Sequence, residues 1–105
     1  MNEKVRFSEE GGVLFAYLLS EIDHHTARPI REEIDKMLFK LRPDVLELNF
    51  SGVKFMDSSG IGLIIGRSEI CHSLEAELRI SSLSPNLLRV VRLSGIEKLR
   101  NLTIV

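Results

Sequence analysis

Between Ile30 and Leu41 the apolar residues Ile30, Ile34, Met37, Leu38 and Leu41 recur at i, i+4, i+7, i+8 and i+11, the spacing of one face of an α-helix. The opposite face carries Arg31, Glu32, Asp35, Lys36 and Arg42. Thr26 is placed to cap the start, Pro29 falls in the first turn where its missing N–H costs little, and Pro43 stops the helix. The period then changes at once. From Val45 to Phe50, Leu46, Leu48 and Phe50 point one way and Val45, Glu47 and Asn49 the other, the alternation of a strand. A second strand-like run, Val13 to Leu19, lies before the helix. Strand, helix and strand in tandem form a crossover unit, which commits the chain to a sheet with parallel neighbours.

The rest of the chain extends that unit. Val5 and Phe7 alternate with polar neighbours, and Glu9-Glu10-Gly11-Gly12 supplies a turn, so the first two strands form a hairpin. Ser20 to Ala27 is expected to be a polar loop at a strand end. Ser51-Gly52 turns the chain, and Val53, Phe55 and Met56 are expected to anchor its approach to Asp57. A second helix is predicted from Ser58 or Ser59, either of which is a competent cap. Leu78-Arg79-Ile80 is a strand, Ser84-Pro85 opens a third helix that Gly95 closes, and Leu102 to Val105 is a last strand. The order is β-β-α-β-α-β-α-β. It predicts a single α/β domain over residues 1–105, a mixed, largely parallel sheet with packed helices. In such sheets the loops at the carboxyl ends of strands gather ligands and partners, so loops 20–27 and 56–60 are expected side by side.

Composition narrows the function. A net charge of −1 from 14 basic and 15 acidic residues argues against nucleic acid as a partner. The lone Cys71 has no internal disulfide partner and no signal-peptide pattern opens the chain, which predicts a cytoplasmic protein. No apolar run approaches the ~20 residues that span a bilayer, so no membrane partner is expected.

Chemistry concentrates in Asp57-Ser58-Ser59-Gly60-Ile61. Two hydroxyls and a carboxylate sit where a strand hands over to a helix, a junction whose free N–H groups suit an anion such as a phosphate on one of the serines. Read more plainly, the same residues are a helix cap. A hydrolase reading fails at Met56, where a nucleophile elbow needs glycine. Gly60-x-Gly62-x-x-x-Gly66 is one residue too long for a dinucleotide fingerprint, and no Walker lysine follows, so no cofactor is expected. Adjacent His24 and His25 point in different directions on most backbones and lack ligand-spaced partners, so no metal is expected either.

Glu21-Ile22-Asp23-His24-His25-Thr26-Ala27 before the first helix, and Phe55-Met56-Asp57-Ser58-Ser59-Gly60-Ile61-Gly62 before the second, resemble bacterial anti-sigma-factor antagonists of the STAS domain family, the sporulation type above all. Ser81-Ser82-Leu83-Ser84-Pro85 fits the same pattern. The resemblance implies that Ser58 is phosphorylated by an anti-sigma factor that is itself a serine kinase. It implies that the unphosphorylated protein binds that kinase and frees the sigma factor, and that a serine phosphatase resets the switch. Asp23 matches the family's loop aspartate near that serine. With it, His24, Asp57, Ser59, Gly60 and Ile61 form the expected partner surface of a non-enzymatic regulator, monomeric when free. The alternative is a STAS scaffold in a larger signalling assembly, without phosphate chemistry. Three features depart from the family pattern: Ser20 replaces a glycine, Leu74-Glu75-Ala76 lacks the glycine that usually ends the second helix, and with the sequence ending at Val105 the family's common C-terminal helix is expected to be absent or reduced.

Overall fold

The computed structural model describes residues 3–105. A hairpin opens the chain: β1 (Val5–Glu10) returns as β2 (Val13–Leu18). Gly11 and Gly12 hold φ of 58° and 81°, and only glycine takes two such values in succession at no steric cost. There follow α1 (His24–Leu41), β3 (Val45–Asn49), α2 (Ser58–Ser73), β4 (Glu77–Ser81), α3 (Pro85–Ser94), a 3-10 turn (Ile96–Lys98) and β5 (Leu102–Ile104). The five strands lie in the order β1-β2-β3-β4-β5. The hairpin pair is antiparallel and the other three pairs are parallel. This is the mixed, largely parallel sheet that the sequence predicts.

Register sorts the residues between the two faces. Ala16, Leu48 and Ile80 stand opposite one another, as do Leu14, Leu46 and Leu78. All six are fully buried, together with Ile30, Ile34 and Leu38 of α1 and Ile64 and Cys71 of α2. Three crossovers of one hand between sequential strands place the helices on this one face. The alternate positions Phe15, Glu47 and Arg79 stay partly exposed on the other. There Glu47 accepts from Arg79 Nε and from Ser81 Oγ, each at 2.7 Å.

The helix starts differ from expectation. α1 begins at His24, inside the predicted loop, and its cap is Asp23. Asp23 Oδ1 accepts the N–H groups of His25 (2.8 Å) and Thr26 (2.9 Å), while Thr26 Oγ1 accepts the Asp23 N–H at 3.0 Å. Thr26 is thus the returning half of a capping box. Starting earlier also moves Pro29 out of the first turn, so one helical hydrogen bond is missing where Pro29 follows His25. The reciprocal cap offsets that loss.

α2 is held on two sides. A β-carbon at Gly60 would overlap Met56 Cγ and Sδ, and Met56 is itself buried, so only glycine lets the helix start sit this close to the strand that feeds it. Further along, Arg67 is buried and reaches across to Asp35 on α1. Arg67 Nε lies 2.8 Å from Asp35 Oδ1 but out of line for a hydrogen bond, while Nη2 donates to Oδ2 at 3.3 Å and Nη1 to Leu63 O at 3.4 Å. Burial raises the Asp35 carboxyl above its ordinary value in spite of the arginine, and lowers the Arg67 guanidinium. Burial likewise pushes the Cys71 thiol up to about 11, which leaves it inert. The helix ends at Leu74, and Glu75 takes the left-handed φ of 58°. Glutamate there is strained where a glycine would not be.

In α3, Ser84 Oγ accepts the Leu87 N–H at 3.3 Å and Gly95 turns left-handed at φ 79°, both as expected. Of its apolar residues only Leu87 and Val91 are buried.

Four stability outcomes follow from these contacts, each read by urea unfolding. Gly60→Ala costs about 1–3 kcal/mol by overpacking against Met56, whereas Gly62→Ala, whose β-carbon meets nothing within 4 Å, gains about 1 kcal/mol of helix propensity. Glu75→Gly gains about 1 kcal/mol by releasing the left-handed strain. Acid acts through Asp23, whose carboxyl lies below its usual 3.8 chiefly because it accepts the Thr26 N–H. Its contribution is complete above the unfolded-state value and is lost as pH falls through the lower folded-state one. Asp35, being raised, contributes in the opposite sense. The difference between wild type and Asp23→Asn, which keeps the acceptor but does not titrate, therefore narrows as pH falls below about 3.8.

Candidate functional site

The two polar loops meet through backbone. Ile22 and Met56 form an isolated parallel bridge: Ile22 N–H donates to Phe55 O at 3.0 Å, and Asp57 N–H donates to Ile22 O at 3.1 Å. Both bridging side chains are buried. The residue after each one, Asp23 or Asp57, is the cap of a helix. One bridge therefore fixes the starts of α1 and α2 beside each other, which brings Asp23 and His24 to the same end of the molecule as Asp57, Ser58, Ser59 and Gly60. This is the adjacency expected of two loops at the carboxyl ends of parallel strands.

The cap of α2 is Asp57, not a serine. Its Oδ1 accepts the Ser59 N–H at 2.7 Å and its carbonyl accepts the Gly60 N–H at 3.0 Å. The carboxylate wins because it offers the stronger, charge-assisted acceptor one residue earlier. This corrects the serine cap predicted from sequence, and it engages the Ser59 and Gly60 donors of the junction. The hydroxyls are released instead. Among the described residues neither Ser58 Oγ nor Ser59 Oγ has a protein hydrogen-bond partner. Ser58, the first helical residue, is exposed; Ser59 is half-buried.

The surface around Ser58 is more apolar than its motif suggests. Phe55, expected to anchor the approach to Asp57, is instead 54% exposed while Val53 and Met56 on either side are buried. Along α2 the positions 58, 61, 62, 65 and 66 share one face at i, i+3, i+4, i+7 and i+8. On it Ile61 is half-buried, Ile65 is 38% exposed, and Gly62 and Gly66 face open space. Leu63, Ile64, Arg67 and Cys71 take the buried side. The sequence left this choice of face open, because α2 is apolar nearly all round. Arg67 was the available signal: a lone cation among buried-side positions needs an anion within reach, and Asp35 supplies it.

His24 and His25 are exposed, and their rings lie 4.0 Å apart, tilted by 38°. The two imidazoles thus touch, contrary to the expectation that they diverge. Among the described residues no three His, Cys, Asp or Glu side chains converge as metal ligands. No helix is long and apolar enough to cross a membrane.

Set beside known proteins, residues 4–103 match the model of the STAS domain. The chain is 30% identical over 99 residues to an anti-sigma F factor antagonist of Paenibacillus polymyxa, an alignment covering 94% of this chain and 85% of that protein. Two solved structures share its fold. The anti-sigma factor antagonist SpoIIAA in its unphosphorylated form matches with a TM-score of 0.80 at 25% identity, over 96% of this chain and 87% of that one. The Bacillus cell fate determinant SpoIIAA in its phosphorylated form matches with a TM-score of 0.72, also at 25% identity, over 96% and 90% of the two chains. Sheet order, paired helix starts and matched sequence converge, and the chain belongs to the STAS domain family.

Proposed function

We propose that this protein is an anti-sigma-factor antagonist that acts by partner switching, with Ser58 as the switch. Unphosphorylated, it binds an anti-sigma factor that is also a serine kinase, and so frees a sigma factor. Transfer of the γ-phosphoryl group of ATP to Ser58 Oγ, with loss of the hydroxyl proton, ends that binding. A serine phosphatase restores it. The chain itself supplies no catalytic group and works in the cytoplasm. The observation that carries this reading is the exposed Ser58 hydroxyl at the first position of a helix whose start is pinned by the Ile22–Met56 bridge. The anti-sigma-factor antagonists among its relatives support it, as does a fold neighbour known in a phosphorylated form.

The switch needs no rearrangement of the domain. Phosphate adds roughly −1.5 to −2 charges at neutral pH. Asp57 already occupies the Ser59 and Gly60 N–H groups, and Ser58 is exposed, so that charge stays at the surface, next to a carboxylate and beside Phe55 and Ile61. A partner that covers these apolar residues must then desolvate a dianion beside Asp57. Like-charge juxtaposition of this kind costs several kcal/mol, and each 1.4 kcal/mol is about tenfold in affinity. Asp23, His24 and Ser59 complete the contact surface; Gly60, expected there from sequence, is buried against Met56 and serves instead to seat the helix start.

Two experiments decide it. With the cognate kinase and ATP, Ser58→Ala takes up no phosphate yet keeps its affinity for the kinase, and Ser58→Asp loses about tenfold or more; phosphate uptake by Ser58→Ala overturns the site. Phosphopeptide mapping of protein from its host recovers phosphate on the peptide containing Ser58. Its absence under every growth condition would favour a scaffold that binds without phosphate switching.

A further inference from the structure

A surface helix usually turns charged and polar residues to solvent; α3 turns out two arginines with large apolar side chains set among them. Its inward positions are Leu87 and Val91. Its outward positions Pro85, Leu88, Arg89, Arg92 and Leu93 follow one another at i, i+3, i+4, i+7 and i+8, and they line a single shallow groove. Leu93 is 82% exposed, and Val90 beside it is 37% exposed. The cations on the rim are barely engaged. Arg92 approaches Glu97 only to 3.9 Å with both side chains largely in solvent, and Arg89 has no ion-pair partner among the described residues. From Pro85 to Arg100 the chain carries Arg89, Arg92, Lys98 and Arg100 against Glu97 alone, a basic flank on a protein of net charge −1.

We propose that this groove is a second docking surface, distinct from the Ser58 site, for an acidic amphipathic helix of another protein. Apolar side chains at i and i+4 of the incoming helix seat against Leu88 and Leu93. Carboxylates flanking them pair with Arg89 and Arg92. Charge and shape together select this occupant. Two copies of the chain meeting here across a two-fold axis would set arginine against arginine. Anionic lipid calls for a cluster of about four to eight cations at one surface; only Arg89 and Arg92 line this groove, Lys98 and Arg100 lying beyond the end of α3. Nucleic-acid phosphates would satisfy the arginines and leave Leu93 without an apolar partner. An acidic helix matches both components, in the helix-in-groove manner of recognition.

The test is a titration of the nitrogen-15-labelled full chain with a synthetic helical peptide of roughly 15 residues, with leucines at i, i+4 and i+7 and glutamates between them. A second peptide carries lysine at every glutamate. The expected result is saturable shifts confined to residues 85–100 with the glutamate peptide, none with the lysine peptide, and a loss of about tenfold or more in the Arg89→Glu/Arg92→Glu double variant. Ser58→Asp leaves this binding unchanged, which separates it from the switch. Leu93→Ser, at an exposed position, weakens binding without charge reversal and serves if the double variant does not fold. Equal binding of the lysine peptide overturns the proposal, as does the absence of saturable shifts up to about 1 mM. Shifts at residues 85–100 with phosphatidylserine vesicles but not with the glutamate peptide, or concentration-dependent dimerisation through this face, overturn it too.

Discussion

Two backbone hydrogen bonds between Ile22 and its neighbours Phe55 and Asp57 hold together the two loops of the candidate site. Neither residue belongs to a strand of the main sheet, yet their bridge extends the parallel pairing of β2 and β3 past the strand ends, to the point where both following helices begin. Each bridging residue is followed by an aspartate that caps its helix. Position and polarity are therefore set in one step: the bridge decides where the helices start, and the carboxylates decide which donors remain free. Side chains buried at the bridge, Ile22 and Met56, anchor it to the core, and Gly60 leaves the room that Met56 needs.

Much of this was legible in the sequence because its signals are local. The i, i+4 stripe of α1, the glycine pair of the hairpin, the Ser84-Pro85 start and the Gly95 stop each act within a few residues, and the structure places all four as read. The caps of α1 and α2 were legible only as a short list of competent residues. Asp, Ser and Thr all accept N–H groups, and the choice of Asp23 over Thr26, or Asp57 over Ser58, depends on a bridge between segments far apart in the chain. The same limit applies to α2. A helix apolar nearly all round does not announce its buried face, so the exposure of Phe55 and Ile65 had no local signature, and the burial of Arg67 is legible only through Asp35, a partner on another helix.

The carboxylate caps also change what the helix termini do. A helix start with free donors attracts an anion and softens its charge. Here Asp57 has already taken the Ser59 and Gly60 donors, so charge added nearby is presented outward. The Arg67–Asp35 pair does complementary work inside. It joins α1 to α2 through an arginine that has lost its water, and breaking such a pair leaves one charge stranded. The helices that carry the two aspartate caps are thus coupled at their starts by backbone and further along by charge.

The strands lie side by side in the order in which they occur in the chain. Each crossover returns to the edge just formed, and no strand inserts between two earlier ones. Such a sheet can be assembled from one end as the polypeptide leaves the ribosome, with every new strand and helix finding a finished edge to dock on, so that long-range pairings never wait for distant sequence. The paired helix starts are complete once α2 has emerged, before β4, α3 and β5 exist to be placed.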